Sequence, residues 1–318
     1  MVFLRGIRFG FAIAVCASFI SSFAFAVMPT DPVTDPQFLI LADGTNLGSI
    51  KVHNIPLTLA KGTGVSFTAN EAAAFEKLKQ DSKSQVDHPV QWVLMDLANH
   101  QVIDQSANPD KIIFGASVAK VFTAGTLMNQ QNGVMQKSQW QLFADMLVVS
   151  SNPAWTELQR QIGLGDSDIG RDRIQQFTQQ MGYTRTKGFQ GNLGSIHGNE
   201  LNATDLVHFL YDTYHANYPG AETVWKVMHT LRTATNRGFK YIPSDVFLAG
   251  KTGTYDGPTI NPDTGGTTNP DGSAYTVRVR HQLMVLHTKG RHYGLAILAN
   301  TGSNESAALL AGGLYRQL

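Results

Sequence analysis

The feature of this chain that most restricts its fold is an ordering: strand-like runs lie towards both ends, and a long block of helical spacing separates them. PVQWVLMDLANHQVI reads as two strands about a polar corner at Ala98-Asn99-His100, and SDVFLAG, VRVRHQLMVLH and HYGLAILAN read as later β-rich runs. From Ser117 to about Phe239 the period changes. Val118, Val121, Phe122, Gly125 and Met128 fall at the three-and-four spacing of one helix face. Ser138, with Gln141 three residues on, suggests a capping box for a second helix carrying Trp140, Phe143, Met146 and Leu147. A third would run from Pro153 to near Gly163, and Asn202 would cap a fourth carrying Leu206, Phe209 and Leu210. Helical runs also flank the strands: Asn70 heads NEAAAFEKLKQDSK, and SNESAALLAGGLYRQL closes the chain. Strands split by such a block pair best in one antiparallel sheet, covered by the terminal helices and set beside a helical lobe. This is an α+β architecture with a cleft between lobes.

Charge excludes one class of partner. Lys and Arg number 25 against 24 Asp and Glu, a net charge of +1 with no basic stripe, so nucleic acid is not expected. At 42% hydrophobic the chain is globular, and its one cysteine supports neither a disulfide framework nor a metal-thiolate centre. The ten histidines form no HExxH or other tight ligand pattern; single ones such as His208 read as helix residues, and no metal or other cofactor is expected. The four tryptophans read as core or cleft wall.

Residues 1–26 read as a secretory signal peptide: Arg5 and Arg8, an apolar run over 9–20, and Ala24-Phe25-Ala26 as a small-x-small cleavage site. The alternatives are an uncleaved anchor or a lipoprotein signal at Cys16, the latter disfavoured by Val15. Cleavage would leave no stable membrane span and an exported protein, periplasmic or secreted. Residues 27–69, rich in Pro, Gly and Thr, read as an irregular leader. The domain proper is then 70–318, with its helical lobe at about 117–240. A turn-rich loop spans 256–273; its Asp256, Asp263 and Asp271 lack calcium-loop spacing and read as turn residues.

Three short motifs carry chemistry. Ser117-Val118-Ala119-Lys120 places a lysine one helical turn after a serine, on the same face, where it can act as base for a nucleophile at a helix N-terminus. For that role the Lys120 amine must titrate near neutrality, through desolvation or a neighbouring cation such as Lys251. Ser150-Ser151-Asn152 precedes Pro153, which breaks one helix from the next and lets Ser150 and Asn152 project from a fixed corner. Lys251-Thr252-Gly253-Thr254 follows an apolar strand. Its lysine and threonine can bind a carboxylate, Gly253 permits close approach, and the Thr254 N–H can face a developing oxyanion. Each alone has a bland alternative: a surface helix, an Asn-Pro helix cap, a strand-end turn.

In this order, Ser-x-x-Lys, Ser-x-Asn and Lys-Thr-Gly resemble the signature of the penicillin-recognising serine hydrolases, which include class A β-lactamases and D-alanyl-D-alanine peptidases. The resemblance extends over most of 70–318, through FGASVAKVFTAGTL, ADMLVVSSNPAWTEL, LNATDLVHFL and FLAGKTGTYDG. It implies a β-lactamase/transpeptidase-like fold. It also implies an acyl-enzyme on Ser117, with Lys120 as base, Ser150 as proton relay and Asn152 on the substrate amide. Lys251 and Thr252 would hold a carboxylate, and the N–H groups of Ser117 and Thr254 would form the oxyanion hole beside Gly253. The partner implied is a small-molecule β-lactam or a peptidoglycan stem peptide.

The chain departs from that pattern twice. Class A enzymes use a glutamate on the loop after the second motif to activate the deacylating water, yet the stretch Arg173 to Asn199 contains no acid. The first to follow is Glu200, a candidate deacylation base or else an exposed pre-helical carboxylate. Only 33 positions separate Ser117 from Ser150, fewer than in typical relatives, which implies an opened cleft that the 256–273 loop would rebuild from the other side. Two rivals differ in kind. Gly115-Ala116-Ser117-Val118-Ala119 resembles a nucleophile elbow, which would call on a later histidine such as His281 or His287. The other rival is a binding module that keeps the fold without turnover.

Overall fold

The computed structural model describes residues 31–188, 193–194 and 198–318; the signal peptide expected over 1–26 lies outside them. A small hairpin, β1 (Lys51–Val52) and β2 (Ile55–Pro56), leads to α1 (Ala69–Ser84), then β3 (Val90–Asp96), β4 (Gln101–Gln105) and the short β5 (Ile113–Phe114). The helical block follows as α2 (Lys120–Gln130), α3 (Trp140–Val148), α4 (Asn152–Ile162) and α5 (Ser167–Gln180), then the short β6 (Glu200–Leu201), α6 (Ala203–Tyr214) and α7 (Ala221–Met228). The chain returns through β7 (Leu248–Pro258), β8 (Thr276–Thr288) and β9 (Arg291–Ala299) and closes with α8 (Glu305–Gln317).

The expected sheet is present, five strands in the order β4-β3-β9-β8-β7, with every neighbouring pair antiparallel. The N-terminal hairpin thus joins the C-terminal strands through β3 and β9. Interior strand β3 is buried along its whole length, which is why it reads as a nearly unbroken apolar run. Its alternate residues divide two cores. Trp92 and Leu94 pack with Phe75 of α1 and Leu310 of α8, while Val93 and Met95 join the larger core with Phe122, Phe209 and Trp225 of the helical block. No helix among the described residues is long and apolar enough to cross a membrane.

Several local expectations are corrected. The cap of α1 is Thr68, whose hydroxyl accepts from the Glu71 N–H while the Glu71 carboxylate accepts from the Thr68 N–H, a reciprocal box that Asn70 cannot complete from inside the helix. The box ahead of α3 is Gln136 with Gln139; Gln141 instead bonds Asp145 and the Lys51 carbonyl. Helices α5 and α7 were not individually legible. Residues expected to be an irregular leader contribute Phe38, Leu41, Leu47, Val52 and Leu57 to the larger core.

Candidate active site

The first motif lies where the chain enters α2. Ser117 sits in a 3₁₀ turn, Ala116–Ala119, that runs directly into the helix beginning at Lys120, so the two side chains share a face as their spacing requires. Ala116 takes a positive φ of 46°. The Gly115 N–H donates to the Asn199 carbonyl and Asn199 Nδ2 donates to the Ala116 carbonyl, at 3.0 and 3.2 Å. A Cβ at Gly115 would meet the buried Leu201 side chain of β6 at 2.1 Å, so replacement there requires Leu201 to shift. Ser117 itself is half-buried between buried neighbours.

The second motif is a helix end joined to a helix start. At the end of α3, the Ser151 N–H donates to the Asp145 carbonyl at 3.0 Å, and Ser150 takes φ 66°. This is a left-handed helix stop, a position that favours glycine. Ser151 then caps α4 by accepting from the Ala154 N–H, with Pro153 in the first turn, where no N–H is missed. The corner expected from sequence exists, and it holds Ser150 in a conformation that disfavours a side chain.

The third motif is not a strand end. β7 continues to Pro258 and pairs with β8 throughout, Lys251 opposite Leu283 and Thr254 opposite Arg280. As the outer strand of the sheet it runs beside the Ser117 turn: a Cβ at Gly253 would meet the Gly115 carbonyl at 3.0 Å. The connecting loop therefore starts after Pro258. Asp256 is a strand residue paired with Arg280 at 2.7 Å, whereas Asp271 does cap a turn, accepting from the Ser273 N–H.

These elements converge on two amines. Lys120 Nζ lies 3.0 Å from Ser117 Oγ, 2.7 Å from the Ser150 carbonyl, 3.3 Å from Ser150 Oγ and 2.6 Å from Asn152 Oδ1. Lys251 Nζ lies 2.8 Å from Ser150 Oγ and 2.9 Å from the Thr252 carbonyl. Both lysines are fully buried. Burial lowers the Lys120 amine to about 7, and the Trp155 ring, centred 5.0 Å from Nζ, forms part of the dry wall. Lys251 is pushed well below its ordinary range by burial first, then by the neighbouring charges of Lys120 and Arg237. Around this buried pair, Asn152 and Thr254 are exposed, so the cluster opens to solvent.

Two further groups, Arg237 and Thr233, had no local signal. Arg237, buried beneath β7, donates to the carbonyls of Gly253 and His281 and to Thr254 Oγ1, at 2.9, 2.8 and 2.8 Å. Thr233 Oγ1 is 2.6 Å from Thr252 Oγ1. His281 bonds the Phe114 carbonyl through Nε2 and accepts from the Ala299 N–H at Nδ1, which occupies both nitrogens away from Ser117. His287 bonds His229 instead. Neither histidine serves a nucleophile elbow at Ser117.

Glu200 is not brought into the cluster. It is buried in β6 opposite Phe114 of β5, and its carboxylate pairs with Lys187 at 3.3 Å. The expected alternative of an exposed carboxylate fails as well, and burial raises its carboxyl above the ordinary range.

Residues 124–314 match the family model of the β-lactamase enzyme family. Among solved structures, the chain is similar to the TLA-3 extended-spectrum β-lactamase, with 13% identity, a TM-score of 0.58, and coverage of 79% of this chain and 98% of that one. It is also similar to a β-lactamase from Chitinophaga pinensis DSM 2588, with 15% identity, a TM-score of 0.53, and coverage of 78% and 96%. A class A β-lactamase representative from Bacteroides cellulosilyticus DSM 14838 gives 14% identity, a TM-score of 0.55, and coverage of 77% and 95%. At these identities the likeness is one of fold. No curated protein matches the chain in sequence.

Proposed function

The chain belongs to the β-lactamase enzyme family, and from that premise we propose that it opens β-lactam or D-Ala-D-Ala-type amides through an acyl-enzyme on Ser117. The observation that carries this reading is the shell around Lys120. A neutral amine has two hydrogens and one lone pair. The Ser150 carbonyl and Asn152 Oδ1, at 2.7 and 2.6 Å, are acceptors that take both hydrogens, which turns the lone pair to the Ser117 hydroxyl at 3.0 Å. With the amine lowered to about 7, a large fraction is neutral at neutral pH.

Ser117 Oγ forms its bond to the carbonyl carbon as its proton passes to Lys120 Nζ. The oxyanion takes hydrogen bonds from the Ser117 and Thr254 N–H groups, the latter held by Arg237 through the Gly253 carbonyl and Thr254 Oγ1. As the C–N bond breaks, the leaving nitrogen takes a proton from Ser150 Oγ, which is resupplied by Lys120 at 3.3 Å. Asn152 keeps its amide hydrogens for the substrate, since its oxygen is engaged by Lys120. An incoming carboxylate supplies Lys251 with the counter-charge that burial denies it, and Thr252 completes that contact. The apolar run and small-x-small site within 1–26 support an exported enzyme.

Deacylation supports a second reading. With Glu200 tied to Lys187, water activation falls to Lys120, and a long-lived acyl-enzyme follows. That would suit a D-alanyl-D-alanine carboxypeptidase or penicillin-binding protein, or, without turnover, a binding module. Intact mass against time after adding a penicillin, beside Ser117→Ala, separates them. Drug consumption without a lasting adduct means a β-lactamase; a persistent Ser117-dependent adduct means a peptidase or sensor. The absence of both adduct and consumption sinks the acyl-enzyme reading for penicillins.

A further inference from the structure

A second group of ligating side chains lies on the β8–β9 hairpin. Lys289 and Gly290 both take positive φ, 51° and 70°, the two-residue turn that matches strand twist. It sets His287 directly opposite His292. Cross-strand partners project from the same face, and these two rings meet edge to face at 4.7 Å. Asp31, from the N-terminal segment, completes the group. Its carboxylate oxygens lie 3.9 Å from His287 Nδ1 and 3.5 Å from His292 Nε2. One ligand atom from each of the three falls within 4.8 Å of the others.

The hydrogen bonds behind the group fix which nitrogen of His287 faces it. His229 Nδ1 is 2.7 Å from the Trp225 carbonyl, an acceptor only, so this nitrogen carries the proton. His229 Nε2 is then a lone pair, and His287 Nε2, 2.7 Å away, donates to it. His287 Nδ1 is left as a bare lone pair directed at Asp31 and His292. It is buried without a hydrogen-bond partner among the described residues, on a side chain only 5% exposed. An orphaned buried acceptor is destabilising. A metal ion relieves it, and an imidazole oriented through its other nitrogen is how metal-ligating histidines are usually held.

We propose that Asp31, His287 and His292 form a zinc(II) site that fastens the N-terminal segment to the β8–β9 hairpin. Two imidazoles and one carboxylate are a donor set that zinc accepts, with a fourth position left for water. Bonds of about 2.0–2.1 Å to a tetrahedral ion place ligand atoms roughly 3.3 Å apart; Asp31 reaches His292 at 3.5 Å through one carboxylate oxygen and His287 at 3.9 Å through the other, and the three ligand atoms, now within 4.8 Å of one another, draw in when the ion binds. The Tyr214 and Trp225 rings, 5.2 Å from His292 and 6.1 Å from His287, wall the site with apolar surface. Asp31 and His287 also line a surface cleft of about 300 Å³, a route in for the ion. The site stands apart from the acyl chemistry: His287 lies about 14 Å along β8 from Leu283, the partner of Lys251. Reading each histidine singly misses it, because the ligand pair is brought together by a strand turn in HTKGRH and joined by a residue far away in sequence.

The test uses the mature protein without a polyhistidine tag, stripped of metal by chelator and titrated with zinc(II) by calorimetry. One equivalent is expected, with a zinc-dependent rise in melting temperature. His292→Ala and Asp31→Ala, both at partly exposed positions, are each expected to weaken binding on the order of 100-fold and to abolish that rise. A wild-type protein with no saturable zinc binding, or variants that keep one equivalent at unchanged affinity, overturns the proposal. Should a variant fail to fold, modification by diethyl pyrocarbonate decides on the wild type. Zinc is expected to protect His287 and His292, and equal labelling with and without zinc overturns the site.

Discussion

Lys120 and Lys251 grip the same hydroxyl: their Nζ atoms stand 3.3 and 2.8 Å from Ser150 Oγ. Two fully buried ammonium groups so arranged repel, and burial penalises each charge independently. The pair therefore disfavours two simultaneous charges, with the Lys120 amine lowered to about 7 and Lys251 pushed well below its ordinary range. In the proposed mechanism the Ser150 hydroxyl is the atom through which protons pass between Lys120 and the leaving group.

The pH dependence of acylation follows from this. Burial lowers the Lys120 amine to about 7. Below that pH the ammonium dominates and has no lone pair for Ser117; above it the neutral base dominates. The acylation rate constant of Ser117 is expected to rise with pH and level off above about 7, falling about tenfold per unit on the acid side. Stopped-flow acylation by a chromogenic β-lactam checks it. A rate that is flat from about pH 5 to about pH 8, or that falls as pH rises, removes Lys120 from the role of base.

Ser150 offers a prediction in which rate and stability separate. Its φ of 66° costs any residue with a Cβ about 1 kcal/mol relative to glycine. Ser150→Ala and Ser150→Gly both lose the relay and are expected to acylate about 10²- to 10⁴-fold more slowly. The glycine variant should nonetheless be the more stable of the two by about 1 kcal/mol in urea unfolding. If alanine proves the more stable, the strain argument is wrong.

Which parts were legible in sequence follows from where their causes lie. Ser117, Lys120, Ser150 and Lys251 declare themselves by residue type and order, because the proposed acyl chemistry requires those groups. β3 and β9 declare themselves by apolar content. β7 is different: SDVFLAG reads as β-rich, but the KTGTYDGP that follows carries two glycines and reads as a strand-end turn; its register is supplied by β8, with a Cβ at Gly250 only 2.2 Å from the Leu283 carbonyl. Phe38 and Leu41 have no periodicity to reveal them, since irregular backbone delivers them to the core. Arg237 is an unremarkable loop arginine until the strand above it is in place. Glu200 was visible, but its pairing with Lys187 belongs to tertiary structure.

Arg237 is expected to be a positioning residue for the oxyanion strand. Removing its side chain leaves the Gly253 and His281 carbonyls without their charged donor and frees Thr254. Arg237→Ala should cost about 2–4 kcal/mol of stability and slow acylation, while Arg237→Lys restores charge without the fork that reaches Gly253, His281, Thr254 and Asn304 together. Denaturant unfolding read beside acylation rates provides the check. A variant that unfolds like wild type and acylates at the wild-type rate shows that the strand holds its own geometry.

Glu200→Gln is the sharpest test of how the acyl-enzyme is resolved. A water-activating carboxylate lost to an amide lowers deacylation by about 10²- to 10⁴-fold. Glu200 instead lies buried in β6, against Phe114 on one side and paired with Lys187 on the other. The amide preserves the strand pairing and loses an ion pair whose lysine is 55% exposed, an interaction worth at most about 1 kcal/mol. Burial already raises this carboxyl above its ordinary range, so the charged form is disfavoured in the fold and its neutral isostere is tolerated. The adduct of Glu200→Gln with a penicillin is therefore expected to decay within about twofold of the wild-type rate, with stability close to unchanged. An adduct that outlives the wild-type one about a hundredfold would instead make Glu200 the deacylating base and require β6 to move during turnover.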